Sequence, residues 1–163
     1  MTLMSDRPIG EEARLPAAAL LLGWAGDVPF GAGALALLLA PPMPIPREDL
    51  VLPVLAYGAV ILSFLGGVRW GAALNLRPAE ARARELAWAV VPSLVAWIAL
   101  SLHARPVVGL AILAAAHVAQ GVADVRAARL VLVPAWYGTL RVQLAGAATL
   151  ALLVALVALV LRP

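Results

Sequence analysis

Five long apolar stretches dominate this chain of 163 residues and restrict the folds open to it. They lie at residues 15–40, 50–76, 86–103, 107–123 and 142–161. About 20 apolar residues cross the hydrocarbon core of a bilayer, and shorter stretches near this length can also cross. Only 13% of the residues are charged, well below the share typical of soluble domains. The pattern predicts an all-α integral membrane protein, one domain over residues 1–163 with five transmembrane helices in a compact bundle.

The arginines indicate how the bundle is oriented. All 12 basic residues are arginine, and basic residues concentrate on the cytoplasmic side of membrane proteins. We call the membrane side that holds the N-terminus side A, and the opposite side B. Side A receives Arg7, Arg14, Arg77, Arg82, Arg84, Arg126, Arg129 and Arg141, whereas side B receives Arg47, Arg105 and Arg162. We therefore expect a cytoplasmic N-terminus and a periplasmic C-terminus, and no nucleic-acid-binding face.

The connections between the apolar stretches are short. The prolines of residues 40–46 exclude a helix there, because proline removes a backbone donor. Residues 77–85 (RPAEARARE) are predicted to form a polar turn at side A. Residues 124–141 form the longest predicted link, and its Trp136–Tyr137 pair is typical of an anchor at headgroup level.

Two charged residues fall inside the apolar stretches. Asp27 lies about 16–18 Å from side A and Arg69 about 10 Å, and the long arginine side chain adds several ångströms of reach. We therefore predict an intramembrane ion pair between them, with either a structural role or a role in handling substrate or protons. Whether the first helix is continuous or broken at Asp27–Pro29 stays open.

Other polar residues fall at a similar depth in the half of the bundle near side A. At 1.5 Å per residue, Ser93 lies about 10 Å and His117 about 9 Å from side A. With Arg69, Gln120, Tyr137 and Arg141 they are predicted to line a layer that holds a ligand or a water chain. Ordinary hydrogen bonds between packed helices are the alternative role of these residues.

The glycines predict a packing site, and the absence of known enzyme motifs bears on function. Gly67 and Gly71, four residues apart and preceded by Gly66, are predicted to mark a site of close helix packing. The chain has no cysteine, no hydrolase, metalloprotease or nucleotide-binding motif, and no metal-ligand cluster, so we do not expect an enzyme. His103 and His117 differ in depth by roughly 15 Å, which argues against haem ligated by both. A quinone or lipid site stays open.

Four sequence blocks resemble a known family. They are LGWAGDVPF (22–30), ILSFLGGVRWG (61–71), VPSLVAW (91–97), and Asp124 with WYGTLR (136–141). In this order they resemble the small membrane proteins of unknown function that are related to transmembrane protein 69. The resemblance implies a multi-pass protein of the bacterial cell inner membrane, with relatives in mitochondria and no established reaction.

The resemblance also separates shared positions from local ones. The family has an apolar residue where Asp27 stands and often a histidine where Arg69 stands, so both charges are local to this chain. The residues that match the family pattern are further candidates for a ligand or packing layer: Trp70, Pro92, Ser93, Trp97, Asp124, Trp136, Tyr137 and Arg141.

Two functions are consistent with these features. Short connections, a glycine face and a last stretch that is apolar all round favour a non-catalytic accessory or assembly subunit of a larger respiratory or photosynthetic inner-membrane complex. Its expected partners are other membrane-protein subunits and lipids. The alternative is a small carrier or a quinone- or lipid-binding protein that uses the polar layer. No inverted repeat is visible, so a carrier would need a partner or a homo-oligomer.

Overall fold

The computed structural model describes residues 14–39 and 46–161, except for the side chains of Arg47 and Glu48. Across these ranges the chain is all-helical, which confirms the predicted fold class. The helices are α1 (Ala17–Leu39), α2 (Arg47–Ala73), α3 (Ala79–Ser101), α4 (Pro106–Arg129) and α5 (Ala135–Leu161). All five are long and apolar enough to cross a membrane, so this is a multi-pass membrane protein. The predicted non-helical prolines of residues 40–45 lie outside the described residues.

Helices α3, α4 and α5 extend beyond their apolar stretches at side A, whereas α2 ends at Ala73, before its apolar stretch ends at residue 76. Most of the predicted polar turn at residues 77–85 belongs to α3, which begins at Ala79. Most of the predicted link at residues 124–141 is also helical, so that only residues 130–134 connect α4 to α5. An apolar stretch ends at its first charged residue, because the local hydropathy falls there. A helix can continue past that point, because its backbone stays hydrogen-bonded and its arginine side chains reach the lipid headgroups. In addition, α1 is continuous across Asp27–Pro29.

The contacts between the helices show which of them are neighbours in the bundle. The most extensive contacts join α4 to α5 and α2 to α3, and α1 lies against α5 and α2. Helix α4 also contacts α2 and α3, so it has neighbours on several sides. This position explains why α4 buries most of the polar side chains described below.

The interior of the bundle has an apolar half and a polar half. Large apolar side chains fill the half toward side B. These core residues include Phe30, Leu37, Leu55, Leu62, Leu110, Leu113 and Leu152. The buried polar and charged side chains lie instead on the parts of α4 and α5 that are closer to side A. The buried polar side chains of the described residues are therefore concentrated in the half of the bundle near side A.

One of the three predicted packing glycines lies at a helix contact. A Cβ atom on Gly66 would lie 2.5 Å from the backbone oxygen of Ala89, so α2 and α3 approach closely there. Gly67 and Gly71 are exposed, and added Cβ atoms would meet nothing within 4 Å. The prediction is therefore wrong for Gly67 and Gly71 within this chain, because around α2 they point about 100° and about 140° away from Gly66.

Candidate functional site

A buried ion pair between α4 and α5 forms the centre of the candidate site. The Arg141 Nε donates to Asp124 Oδ2 over 2.9 Å, and Gln120 Nε2 donates to Asp124 Oδ1 over 2.9 Å. Asp124 is 0% exposed, and Arg141 and Gln120 are also buried. A carboxylate in such surroundings is stable only when it is paired and hydrogen-bonded. We call His117, Gln120, Asp124, Tyr137 and Arg141 the buried polar cluster.

His117 lies deeper in the membrane on the same face of α4. Its Nδ1 is 2.9 Å from the backbone oxygen of Leu113, which can only accept, so the neutral ring donates from Nδ1 and leaves Nε2 as an acceptor. The Nε2 atom is buried and has no partner among the described protein atoms. Phe30 packs edge-to-face on the imidazole, with ring centroids 5.5 Å apart. The histidine therefore presents one unused acceptor to the interior.

Two other members of the cluster also keep unused polar atoms. Arg141 Nη2 and Tyr137 Oη are buried without a hydrogen-bond partner among the described protein atoms. Asp124, Arg141 and Arg69 all act electrostatically on Tyr137. The cluster thus combines an acceptor, a cationic donor and a hydroxyl that can do both. Leaving such buried atoms unsatisfied costs about 1–3 kcal/mol each.

Asp27 of α1 faces this cluster, with Arg141 as its electrostatic partner. Its Oδ2 is buried and unpartnered within the described chain. The hydroxyl of Tyr57 donates to the backbone oxygen of Gly26 over 2.7 Å, which ties α2 to α1 beside Asp27. The Asp27 carboxylate therefore adds an acceptor and a second acidic group to the α1 side of the cluster.

The structure gives Arg69 a different partner from the one predicted. Arg69 Nη2 bonds to Glu85 of α3, and Nη1 donates to the backbone oxygen of Ala123 over 3.0 Å. Among the described residues no ion pair joins Arg69 to Asp27, so the predicted pair is not formed. Arg69 lies about 6 Å from the side-A end of α2 and Asp27 about 15 Å from that of α1. This difference in level leaves Arg69 beside Glu85 near the surface.

The other predicted layer residues divide between the interior and the surface. Trp70 and Trp97 are 45% and 67% exposed and do not belong to an interior layer. Ser93 is half-buried on α3, but α3 has no extensive contact with α5, which carries half of the cluster. Trp136 is half-buried and packs edge-to-face on Tyr137, with centroids 6.1 Å apart. The layer is therefore narrower than predicted and centred on α4 and α5.

Sequence reasoning missed three residues around the cluster. Glu85 was assigned to a polar turn, although its position in the first two turns of a helix would have placed it near Arg69. Tyr57 and Phe30 carried no signal beyond being aromatic residues in apolar stretches. The spacing 117, 120, 124 marks one face of α4, and this signal would have grouped those polar residues together.

Arg69, Asp124 and His117 lie at increasing depth from side A toward the middle of the membrane, and we call this series the polar ladder. At 1.5 Å per residue, Arg69 lies about 6 Å from the end of its helix, Asp124 about 8 Å and His117 about 18 Å. His117 is deeper than predicted because α4 continues to Arg129. Half of the hydrocarbon core is about 15 Å thick. The ladder therefore ends near the membrane midplane, where the apolar core begins.

The acidic and histidine side chains of the described residues are not grouped as metal ligands. No group of three or more His, Asp or Glu side chains among these residues is arranged to hold a metal ion. The polar ladder is instead suited to hydrogen-bonding and to binding charge, with Arg141 as the buried cation and Asp27, Asp124 and His117 as acceptors.

The chain is similar to two vertebrate proteins. It is 42% identical over 86 residues to transmembrane protein 69 of Xenopus tropicalis, covering 52% of this chain and 33% of that protein. It is 36% identical over 96 residues to transmembrane protein 69 of Mus musculus, covering 55% of this chain and 36% of that protein. The chain thus matches about a third of the length of these curated relatives.

Comparison with solved structures and with family models gives the family but no function. No solved structure matches this chain. A family model described as "Protein of unknown function (DUF3429)" matches residues 15–157, which include all of the residues of the buried polar cluster. This match over most of the chain shows that the protein belongs to the DUF3429 family of proteins of unknown function.

Proposed function

We propose that this protein is a small membrane carrier that moves protons, or a small ion with its water, through the buried polar cluster. One observation supports this proposal most strongly. His117 and Arg141, 1% and 6% exposed, each carry a buried nitrogen without a partner in the described chain. Buried polar groups are normally satisfied by protein or ordered water, so such atoms favour a site for water or a small polar solute.

The chemistry of the cluster favours protons over a large organic ligand. Histidine and carboxylates take up and release protons, and intramembrane ionisable residues commonly line proton relays. Asp27 and His117 lie at similar depths of about 15 and 18 Å, with the Arg141 cation acting electrostatically on both. A proton that enters from side A would pass Arg69 and Asp124 before reaching this pair.

The one-sided ladder favours a carrier over an open channel. Beyond His117 the path meets Leu55, Leu113 and Leu152, each 0% exposed. Release at side B therefore requires the helices to shift. Alternation between two arrangements is how transporters move solutes. A homo-oligomer would supply the symmetry that a five-helix chain lacks.

A test of this proposal is proton flux in proteoliposomes that contain a pH-sensitive dye and are polarised by a potassium gradient with valinomycin. We expect the wild-type protein to acidify the vesicles faster than empty liposomes do. Asp27→Asn and His117→Gln should each remove most of this flux, because both changes leave a polar amide that can hydrogen-bond but cannot carry a proton at neutral pH. Gln143→Ala, an exposed change on α5, should leave the flux unchanged.

A wild-type proton flux equal to that of empty liposomes would contradict the carrier proposal. Full proton flux in both Asp27→Asn and His117→Gln would also contradict it. Mass spectrometry of the purified protein then tests whether it is instead a quinone- or lipid-binding protein. Stoichiometric quinone or lipid that is lost in His117→Gln would support a binding protein that uses the same cluster.

A second candidate function is an accessory or assembly subunit of a larger inner-membrane complex. The observation that favours it is the outer face of α2, where Gly67 and Gly71 leave open space and Phe64 is 64% exposed. Small residues four apart allow a second membrane helix to pack closely. Purification in mild detergent followed by native electrophoresis tests it. Gly67→Leu should abolish recovery of a stoichiometric partner, and recovery of this chain alone would contradict it.

We further propose that the protein lies in the bacterial cell inner membrane with its N-terminus in the cytoplasm. The distribution of arginine over the two sides supports this orientation. Cysteine accessibility at Ser101→Cys near side B and Arg77→Cys near side A tests it, because the natural chain has no cysteine. An impermeant thiol reagent added to intact cells should label only the Ser101→Cys variant.

A further inference from the structure

We propose that the outer groove between α4 and α5 binds an anionic phospholipid, with the headgroup on Arg126 and Arg129 and an acyl chain in the groove. The groove has a volume of about 520 Å³, within the range of sites that hold small molecules. Apart from its two arginines and Thr149, it is lined by apolar residues and glycines. Those on α4 are Val118, Gly121, Val122 and Val125, and those on α5 are Val142, Ala145, Gly146, Leu150 and Leu153.

The two arginines supply positive charge at one end of the groove. Arg126 and Arg129 lie in the last turn of α4 and are exposed. The ion pairs in the part of the chain that the structure describes use Arg69, Arg84 and Arg141, so neither groove arginine is neutralised there. A phosphate attracts arginine through charge and through paired hydrogen bonds. The free cations therefore favour a headgroup with net negative charge.

The length of the groove favours a lipid chain as its occupant. The α4 wall runs from Arg129 to Val118, which is about 16 Å along the helix. One leaflet of the hydrocarbon core is about 15 Å thick. A phospholipid with its phosphate at the arginines therefore has an acyl chain that runs the length of the apolar wall. A groove with basic residues at only one end is complementary to an amphipathic molecule of this kind.

This site is separate from the buried polar cluster. The cluster residues of α4, such as His117 and Asp124, are buried in the bundle, whereas Val118, Val122 and Arg126 face outward. Lipid binding can consequently be tested without any assumption about proton movement.

The test is native mass spectrometry of the full chain in dodecyl maltoside, titrated separately with phosphatidylglycerol and phosphatidylcholine. We expect tighter binding of phosphatidylglycerol, on the order of tenfold, from two arginines near the headgroup. Arg126→Gln combined with Arg129→Gln should remove this preference. Arg77→Gln combined with Arg82→Gln is the matched control, because it removes two exposed charges from the same side without touching the groove.

A second variant tests the acyl-chain part of the site. Gly146 lines the groove, and a Cβ atom added to it meets nothing within 4 Å, so Gly146→Leu adds side-chain volume at the wall of the groove. We expect it to weaken binding of both lipids at least several-fold while circular dichroism shows an unchanged helix content. Equal binding of the two lipids by the wild type overturns the proposal. So do equal losses in the two double-arginine variants, or full binding by Gly146→Leu.

Discussion

A double-substitution cycle on Asp124 and Arg141 measures how strongly the buried polar cluster stabilises the bundle. Their side chains are 0% and 7% exposed and are joined over 2.9 Å. Removing one partner of a buried ion pair leaves an uncompensated charge, which costs about 3–5 kcal/mol. We therefore expect Asp124→Leu and Arg141→Met each to lower the free energy of unfolding by about that amount.

The double variant should be more stable than either single variant. Replacing both members of a buried ion pair with apolar residues of similar size is often close to neutral. Gln120 loses its acceptor, Asp124 Oδ1, and this loss costs about 1–3 kcal/mol. The two single changes sum to about 6–10 kcal/mol, so the coupling energy between Asp124 and Arg141 should be at least about 3 kcal/mol.

The assay is reversible unfolding by dodecyl sulfate in mixed micelles, followed by tryptophan fluorescence and circular dichroism. Gln143→Leu is the control, because it removes a polar side chain from the exposed face of α5 and should change stability by less than about 0.5 kcal/mol. An Asp124→Leu variant that is no more destabilising than this control would contradict the expected cost of an unpaired buried charge. A double variant that loses the full sum of the two single changes would show that Asp124 and Arg141 are not coupled.

Two smaller predictions use the same unfolding assay. Gly66→Leu should prevent the close approach of α2 to the Ala89 backbone and destabilise the bundle, whereas Gly67→Leu should be tolerated; equal effects would contradict this packing. Tyr57→Phe removes the hydrogen bond to the backbone oxygen of Gly26 and should cost about 1 kcal/mol. Wild-type stability of Tyr57→Phe would show that this bond does not hold α1 against α2.

The sequence was sufficient to predict five membrane helices because that property is local. In hydrocarbon each backbone donor and acceptor must be satisfied within its own helix, so apolar length alone indicates a span. Helix ends were predicted less well, as the early starts of α3 at Ala79 and α5 at Ala135 show. Polar residues at these ends remain helical at headgroup level, where hydropathy no longer distinguishes helix from loop.

The candidate site was predicted in part. Residue type and depth drew attention to His117, Gln120 and Arg141, whose side chains the structure buries, but depth alone does not specify which way a side chain points. Trp70 follows Arg69 directly and is therefore rotated by about 100° around α2, toward the outside. The same rotation explains why Gly66 packs against α3 and Gly67 does not.

The sequence by itself determined the class of protein, the number of helices and the concentration of polar residues toward side A. Each of these follows from the cost of placing backbone or charge in hydrocarbon, which depends on residues close together in the chain. Only the tertiary structure decided the pairing. Arg69 meets Glu85 rather than Asp27, and Asp124 meets Arg141, because the rotation and neighbours of each helix are set by packing between residues that are distant in sequence.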